Sequence, residues 1–199
     1  MENKKYILIK DDTKNHFGRT LYRIKALIAI GISVAAGDLG GYVEEEKNLS
    51  CNGDAWVYGN ARVYGNAQVS GDAWVYGNAR VYGNAQVSGD ARVYGNAQVS
   101  GDARVSGNAQ VSGDAQVSGD ARVLLHTDIQ TFSGVGSENG TLTAYRTKES
   151  IEITRGCFRG SLDEFRLAVH ARHGIDSKIG WSYLGMANLI EHWFDVKAA

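Results

Sequence analysis

Asp54–Gly71 reads DAWVYGNARVYGNAQVSG, and Asp72–Gly89 repeats it letter for letter. Outward from this pair, the hexapeptide Gly-(Asn/Asp)-Ala-x-Val-(Tyr/Ser/Leu) runs uninterrupted from Gly53 to Leu124, twelve units in all. Within each unit Ala and Val alternate with variable or polar residues, the period of a strand that buries one face. Gly followed by Asn or Asp tolerates positive φ and turns the chain sharply. Short strands joined by two-residue corners, with no insertion, can only stack on themselves, and a hexapeptide period belongs to parallel β-helices. The six-residue unit explains the buried Val and Ala. Trp, Arg and Gln rotate through the variable position with an 18-residue period, so three hexads make one triangular coil and the array makes four. At a strand spacing of ~4.8 Å the rod is roughly 15–20 Å tall.

Sorting the outward positions by triangular side separates a decorated surface from a plain one. Side one carries Trp56, Trp74, Arg92 and Gln110, beside Tyr58, Tyr76, Tyr94 and Ser112. Side two carries Arg62, Arg80, Gln98 and Gln116, beside Tyr64, Tyr82, Ser100 and Ser118. Side three is nearly all polar, from Gln68 to Arg122. Trp, Tyr and Arg are the residues most enriched in binding hot spots, and a contiguous apolar patch normally contacts something. The candidate ligand- or partner-binding residues are therefore Trp56, Tyr58, Arg62, Tyr64, Trp74, Tyr76, Arg80, Tyr82, Arg92 and Tyr94. Aromatics in register also stabilise a sheet as ladders that bind nothing. If rods associate through sides one and two, the grooves between them suit planar anions through stacking and bidentate contacts.

The V-x-G-(N/D)-A-x pattern resembles the hexapeptide repeat of left-handed parallel β-helix proteins, best known from acyltransferases. The resemblance implies a left hand and an oligomer, with a trimer favoured. Across the whole chain the layout looks like small phage and prophage proteins with similar GNA-x-VYG arrays, in which segments like GRTLYRIKAL and AGDLGG precede the array and GCFRGSLDEF follows it. That likeness implies a cytoplasmic protein of an infected or lysogenic host that binds a host defence protein or a nucleotide-like signal. Acyltransferases with this repeat use a catalytic His near a subunit interface and a loop that interrupts the hexads. Here no His lies between His16 and His126 and no insertion breaks the array. We expect a non-enzymatic binding or scaffold protein without cofactor or metal; a minimal acyltransferase and a purely structural spacer are the alternatives.

The chain has 199 residues, with 21 Lys and Arg against 22 Asp and Glu. Charge is balanced in each third of the chain, which argues against a basic nucleic-acid module and against an acidic mimic of DNA. The longest apolar run, Ala26–Ala36, is too short for a helical membrane span. Cys51 and Cys157 are expected to be reduced thiols, Cys157 packed. Residues 1–50 read as an N-terminal β cap with strands at Tyr6–Ile9, Leu21–Ile30 and Ser33–Ala36. Leu39–Val43 and Leu49 look like coil residues drifting out of hexad phase. Residues 51–125 form the β-helix, and 126–199 a small α/β domain of a hairpin and two helices. Asn139-Gly140 offers a tight turn, and Thr141–Arg146 with Ile151–Thr154 are expected as strands on either side of Lys148–Glu149. Ser161 and Glu164 form a capping box, so a helix starts there with Leu162, Phe165 and Val169 on one face. A second helix is expected over Trp181–Val196, with Met186, Leu189, Ile190 and Trp193 as its apolar stripe. His170, His173 and His192 have the spacing of a weak metal site, and read more simply as a helix C-terminus.

Overall fold

The computed structural model of the chain describes residues 4–194 and is mainly β. The twelve hexads give twelve two-residue strands, β4–β15, from Trp56–Val57 to Arg122–Val123. Each from β4 to β12 pairs in parallel with the strand 18 residues on: Trp56 with Trp74, Arg62 with Arg80, Gln68 with Gln86. Every Val and Ala of the array is buried. The corner glycines from Gly53 to Gly119 all have positive φ, between 58° and 73°. They also stack closely: a Cβ on Gly95 would lie 2.9 Å from the Gly113 nitrogen.

Stacking begins upstream of the regular hexads. β3 (Leu39–Val43) pairs in parallel with Arg62–Val63, and Leu49 bridges Val69. The out-of-phase residues therefore form an incomplete extra coil. Gly40 and Gly41 permit this approach, since a Cβ would lie 2.6 Å from the Val57 carbonyl oxygen or 2.7 Å from that of Ala61. β1 (Tyr6–His16) and β2 (Arg19–Ala26) form an antiparallel hairpin that extends side two into a seven-stranded sheet. The Ser33–Ala36 strand does not form. Positive φ at Gly31 and Gly37 reverses the chain, leaving a Val34–Ile30 bridge.

At the residues that flank the two-residue strands the coil-to-coil amides all donate toward the C-terminal end, as where the Trp56 amide donates to the Ala73 carbonyl at 3.0 Å. At these positions the N-terminal end of the rod presents carbonyls and the C-terminal end N–H groups, while within the last strands carbonyls also face the C-terminal cap, where Thr154 donates to that of Gln116 at 2.9 Å. The caps match that polarity. The buried Lys5 ammonium donates to the Gly53 and Ala55 carbonyls, at 3.0 and 2.8 Å. The Asn48 amide donates to those of Gly65 and Ala67. At the far end the Gln116 amide donates to the Thr143 hydroxyl and the Ser118 amide to Tyr145, each at 3.3 Å. Asp128 accepts from the Leu124 and Leu125 amides at 2.9 Å. Unpaired buried backbone groups are costly, so these side chains end the stack where another coil would otherwise add.

The C-terminal region is larger than a hairpin. β16 (Ile129–Val135), β17 (Gly140–Arg146), β18 (Ile151–Arg155) and β19 (Phe158–Gly160) form an antiparallel sheet. Residues alternate across it: Thr143, Tyr145 and Thr154 face the rod end, while Leu142, Ala144, Ile151 and Ile153 face the helices. α1 (Leu162–His173) starts at Ser161, whose hydroxyl accepts from the Glu164 amide, and it buries Leu162, Phe165 and Val169. α2 (Lys178–Trp193) starts three residues earlier than expected, capped by Ser177. Val196 lies outside the described residues. The expected apolar stripe is also corrected. α2 buries Tyr183, Ala187 and Ile190, whereas Leu189 and Trp193 are exposed. The edge contact of Tyr183 on Phe165, at 5.7 Å, helps set which face α1 accepts.

Candidate functional site

The Tyr position of successive coils builds stacked ladders. Tyr64 and Tyr82 lie 5.2 Å apart and 3° from parallel, and Tyr76 and Tyr94 lie 4.8 Å apart and 1° from parallel. Tyr58 packs against Trp74 at 5.2 Å. Trp74, Tyr76, Tyr82, Tyr94, Tyr58, Arg62 and Arg80 are half-buried, and Arg92 is exposed.

Trp56 is not part of the open surface. It is 1 % exposed, with Tyr6 of β1 edge-on at 6.2 Å and Tyr58 at 6.4 Å. Tyr64 is buried too, beneath the hairpin tip, where His16 meets it at 5.2 Å. Repeat symmetry cannot reveal this cover, because Trp56 and Trp74 occupy equivalent positions. The N-terminal segment lies over the first coil, and its Ile30–Ser33 loop borders a cleft with Trp74 and Arg92 on the next two.

On side two the hairpin tip and the rod bring basic side chains together. Arg62 and Arg80 are in register on adjacent coils. The Arg62 guanidinium lies 3.3 Å from His16 Nδ1 and can only donate, which makes Nδ1 the acceptor and places the imidazole proton on Nε2. Burial, then the charges of Arg62 and Arg80, hold the His16 pKa below its ordinary value. Nearby carboxylates are already engaged. Glu44 pairs with Arg19 at 2.9 Å and also accepts from the Gly65 amide, while Asp12 accepts from Tyr42 and lies 3.7 Å from Arg23. Among the described residues neither Arg62 nor Arg80 has a carboxylate partner, and the buried Nε2 of His16 and Nε of Arg62 have no hydrogen-bond partner. His16 was no sequence candidate, because nothing in the array marks which outer residues the hairpin reaches.

Other candidates lie apart. His126 is exposed at the first position of a short 3-10 turn after the array. His170 is exposed, and His173 packs 5.7 Å from the Tyr183 ring. Among the described residues no group of three His, Cys, Asp or Glu side chains could hold a metal. Cys157, expected to be packed, is exposed at the β18–β19 turn, where positive φ at Gly156 swings the chain outward. It borders a cleft of about 180 Å³ with Arg155, Phe165, Arg172 and Tyr183. No described helix is long and apolar enough to cross a membrane.

The parallel register, repeated corners and continuous Val/Ala core decide the architecture. The array is a β-solenoid. Residues 55–71, 73–85, 85–99 and 97–113 match a family model described as the YdcK Beta solenoid repeat. No curated protein matches the chain. Both caps of the solenoid lie outside the matched residues.

Proposed function

We propose that this chain is a non-enzymatic binding protein whose solenoid holds an anion-recognition surface on side two. The observation that carries the reading is the His16–Arg62–Arg80 cluster, two guanidiniums with no carboxylate partner among the described residues and a neutral imidazole, beside the stacked Tyr64–Tyr82 pair. Such a cluster repels itself and leaves two buried donors unpartnered. An anion relieves both penalties, and a planar one adds stacking on Tyr82 and Phe17, the latter 87 % exposed at the hairpin tip. The ligand class is a small nucleotide-like anion. The likeness to phage and prophage proteins extends the reading to sequestering a nucleotide signal or binding a host defence protein in the cytoplasm, with rods assembled as oligomers, a trimer favoured.

Calorimetry with mono- and cyclic nucleotides and with inorganic phosphate tests this. Binding should weaken with salt and fall at least tenfold in Arg62→Gln and Arg80→Gln, while Arg92→Gln behaves as the parent. If no anion binds at millimolar concentration, the cluster reading is wrong. The Tyr76–Tyr94 ladder then favours the second reading, a spacer that holds its end domains apart.

A further inference from the structure

Among the described residues, α2 carries an exposed apolar ridge opposite its buried face. Trp181 is 76 %, Leu189 60 % and Trp193 51 % exposed, and Gly185 lies between them in the same i, i+4 row with no atom within 4 Å of where its Cβ would be. The Trp193 indole is held in place, donating to the Thr127 carbonyl at 3.0 Å, and Leu124 and Leu125 extend the apolar surface at the rod end.

We infer that this ridge is a two-fold interface with a second copy of the chain. About an axis between Gly185 and Leu189, an antiparallel partner places each Leu189 opposite the other's Gly185 and each Trp181 opposite the other's Trp193. A large side chain meets a notch, and the two ends form aromatic pairs. The same register sets His192 opposite Ser182, so no charge faces a like charge. Rows spaced i, i+4 interdigitate at a crossing of about −50°, the commonest helix-pair geometry. The three side chains expose roughly 400 Å² per chain, and with Leu124 and Leu125 a symmetric pair removes on the order of 1,000–1,200 Å², the lower range of specific interfaces. Unlike a flat sticky patch, the ridge is its own complement. This inference is independent of the anion site, and the contact lies at the end of the rod, clear of side-by-side packing.

Sedimentation equilibrium of the full chain across a concentration series tests it. A dimer is expected, or a hexamer where rods also associate side by side as trimers, and Leu189→Glu should raise the dissociation constant of the end contact at least 100-fold with unchanged circular dichroism. Gly185→Leu is the discriminating variant. It adds apolar surface but fills the notch, so it should weaken association at least tenfold. A strictly monomeric parent, an odd-numbered assembly, a dimer untouched by Leu189→Glu, or tighter association in Gly185→Leu each overturns the inference; a monomer that captures a foreign protein through α2 does so as well.

Discussion

Replacing Trp56 by Ala should undock the N-terminal cap, whereas the same change at the repeat-equivalent Trp74 should not. Trp56 is 1 % exposed and fills the space among Tyr6, Tyr58 and the first coil. A buried Trp→Ala change costs about 3–5 kcal/mol through lost burial and the cavity left behind. The indole nitrogen of Trp56 is buried without a partner, so its removal offsets about 1 kcal/mol of that loss. The net expectation is about 2–4 kcal/mol. Trp74 is half-buried and contacts Tyr58 from one side, so its loss should cost about 1–2 kcal/mol. Trp56→Phe keeps an apolar ring and drops the orphaned donor, which brings it within about 1 kcal/mol of the parent. Urea titration gives these differences, and native-state hydrogen exchange locates them. Trp56→Ala should deprotect the β1 and β2 amides before those of the solenoid. Equal losses at the two tryptophans, or no selective exchange in the hairpin, would refute the claim that the cap covers the first coil.

Three further outcomes follow from the same geometry. Deleting residues 90–107 removes one whole coil and joins Gly89 to Asn108, so the protein should still fold, with scattering showing a rod shorter by ~4.8 Å; deleting only 90–92 shifts Val outward and should abolish folding. Gly95→Ala should cost more than about 1 kcal/mol in thermal or urea unfolding, because φ there is +73° and a Cβ would crowd the Gly113 backbone. The folded pKa of His16 lies below its unfolded value, so its contribution to stability is present above about pH 6.5 and declines as pH falls toward the folded pKa. Urea midpoints across pH 5–8 should show this slope in the parent but not in His16→Gln, and anion binding at the cluster should raise the His16 midpoint followed by NMR.

Residues 53–124 determine their own structure, because Gly corners, Ala/Val filler and an 18-residue period leave one way to bury the apolar face and pair the backbone. The capping box at Ser161 and the turn at Asn139-Gly140 were equally legible, since each is local chemistry. Even the degenerate coil at Leu39–Val43 carried enough of the pattern to be seen. What sequence could not supply was anything set by contact between distant segments. Trp56 and Trp74 are identical in repeat context, and only the hairpin folding back distinguishes a core residue from a surface one. His16 joins Arg62 across 46 positions of chain, and Lys5 reaches Ala55 across 50. The exposed face of α2 was decided the same way, by which side of the helix α1 and the C-terminal sheet could accept. A period specifies neighbours at fixed spacing. Where the array ends, what closes it and which of its copies stay open depend on the free energy of packing unlike segments together, and no repeat encodes that.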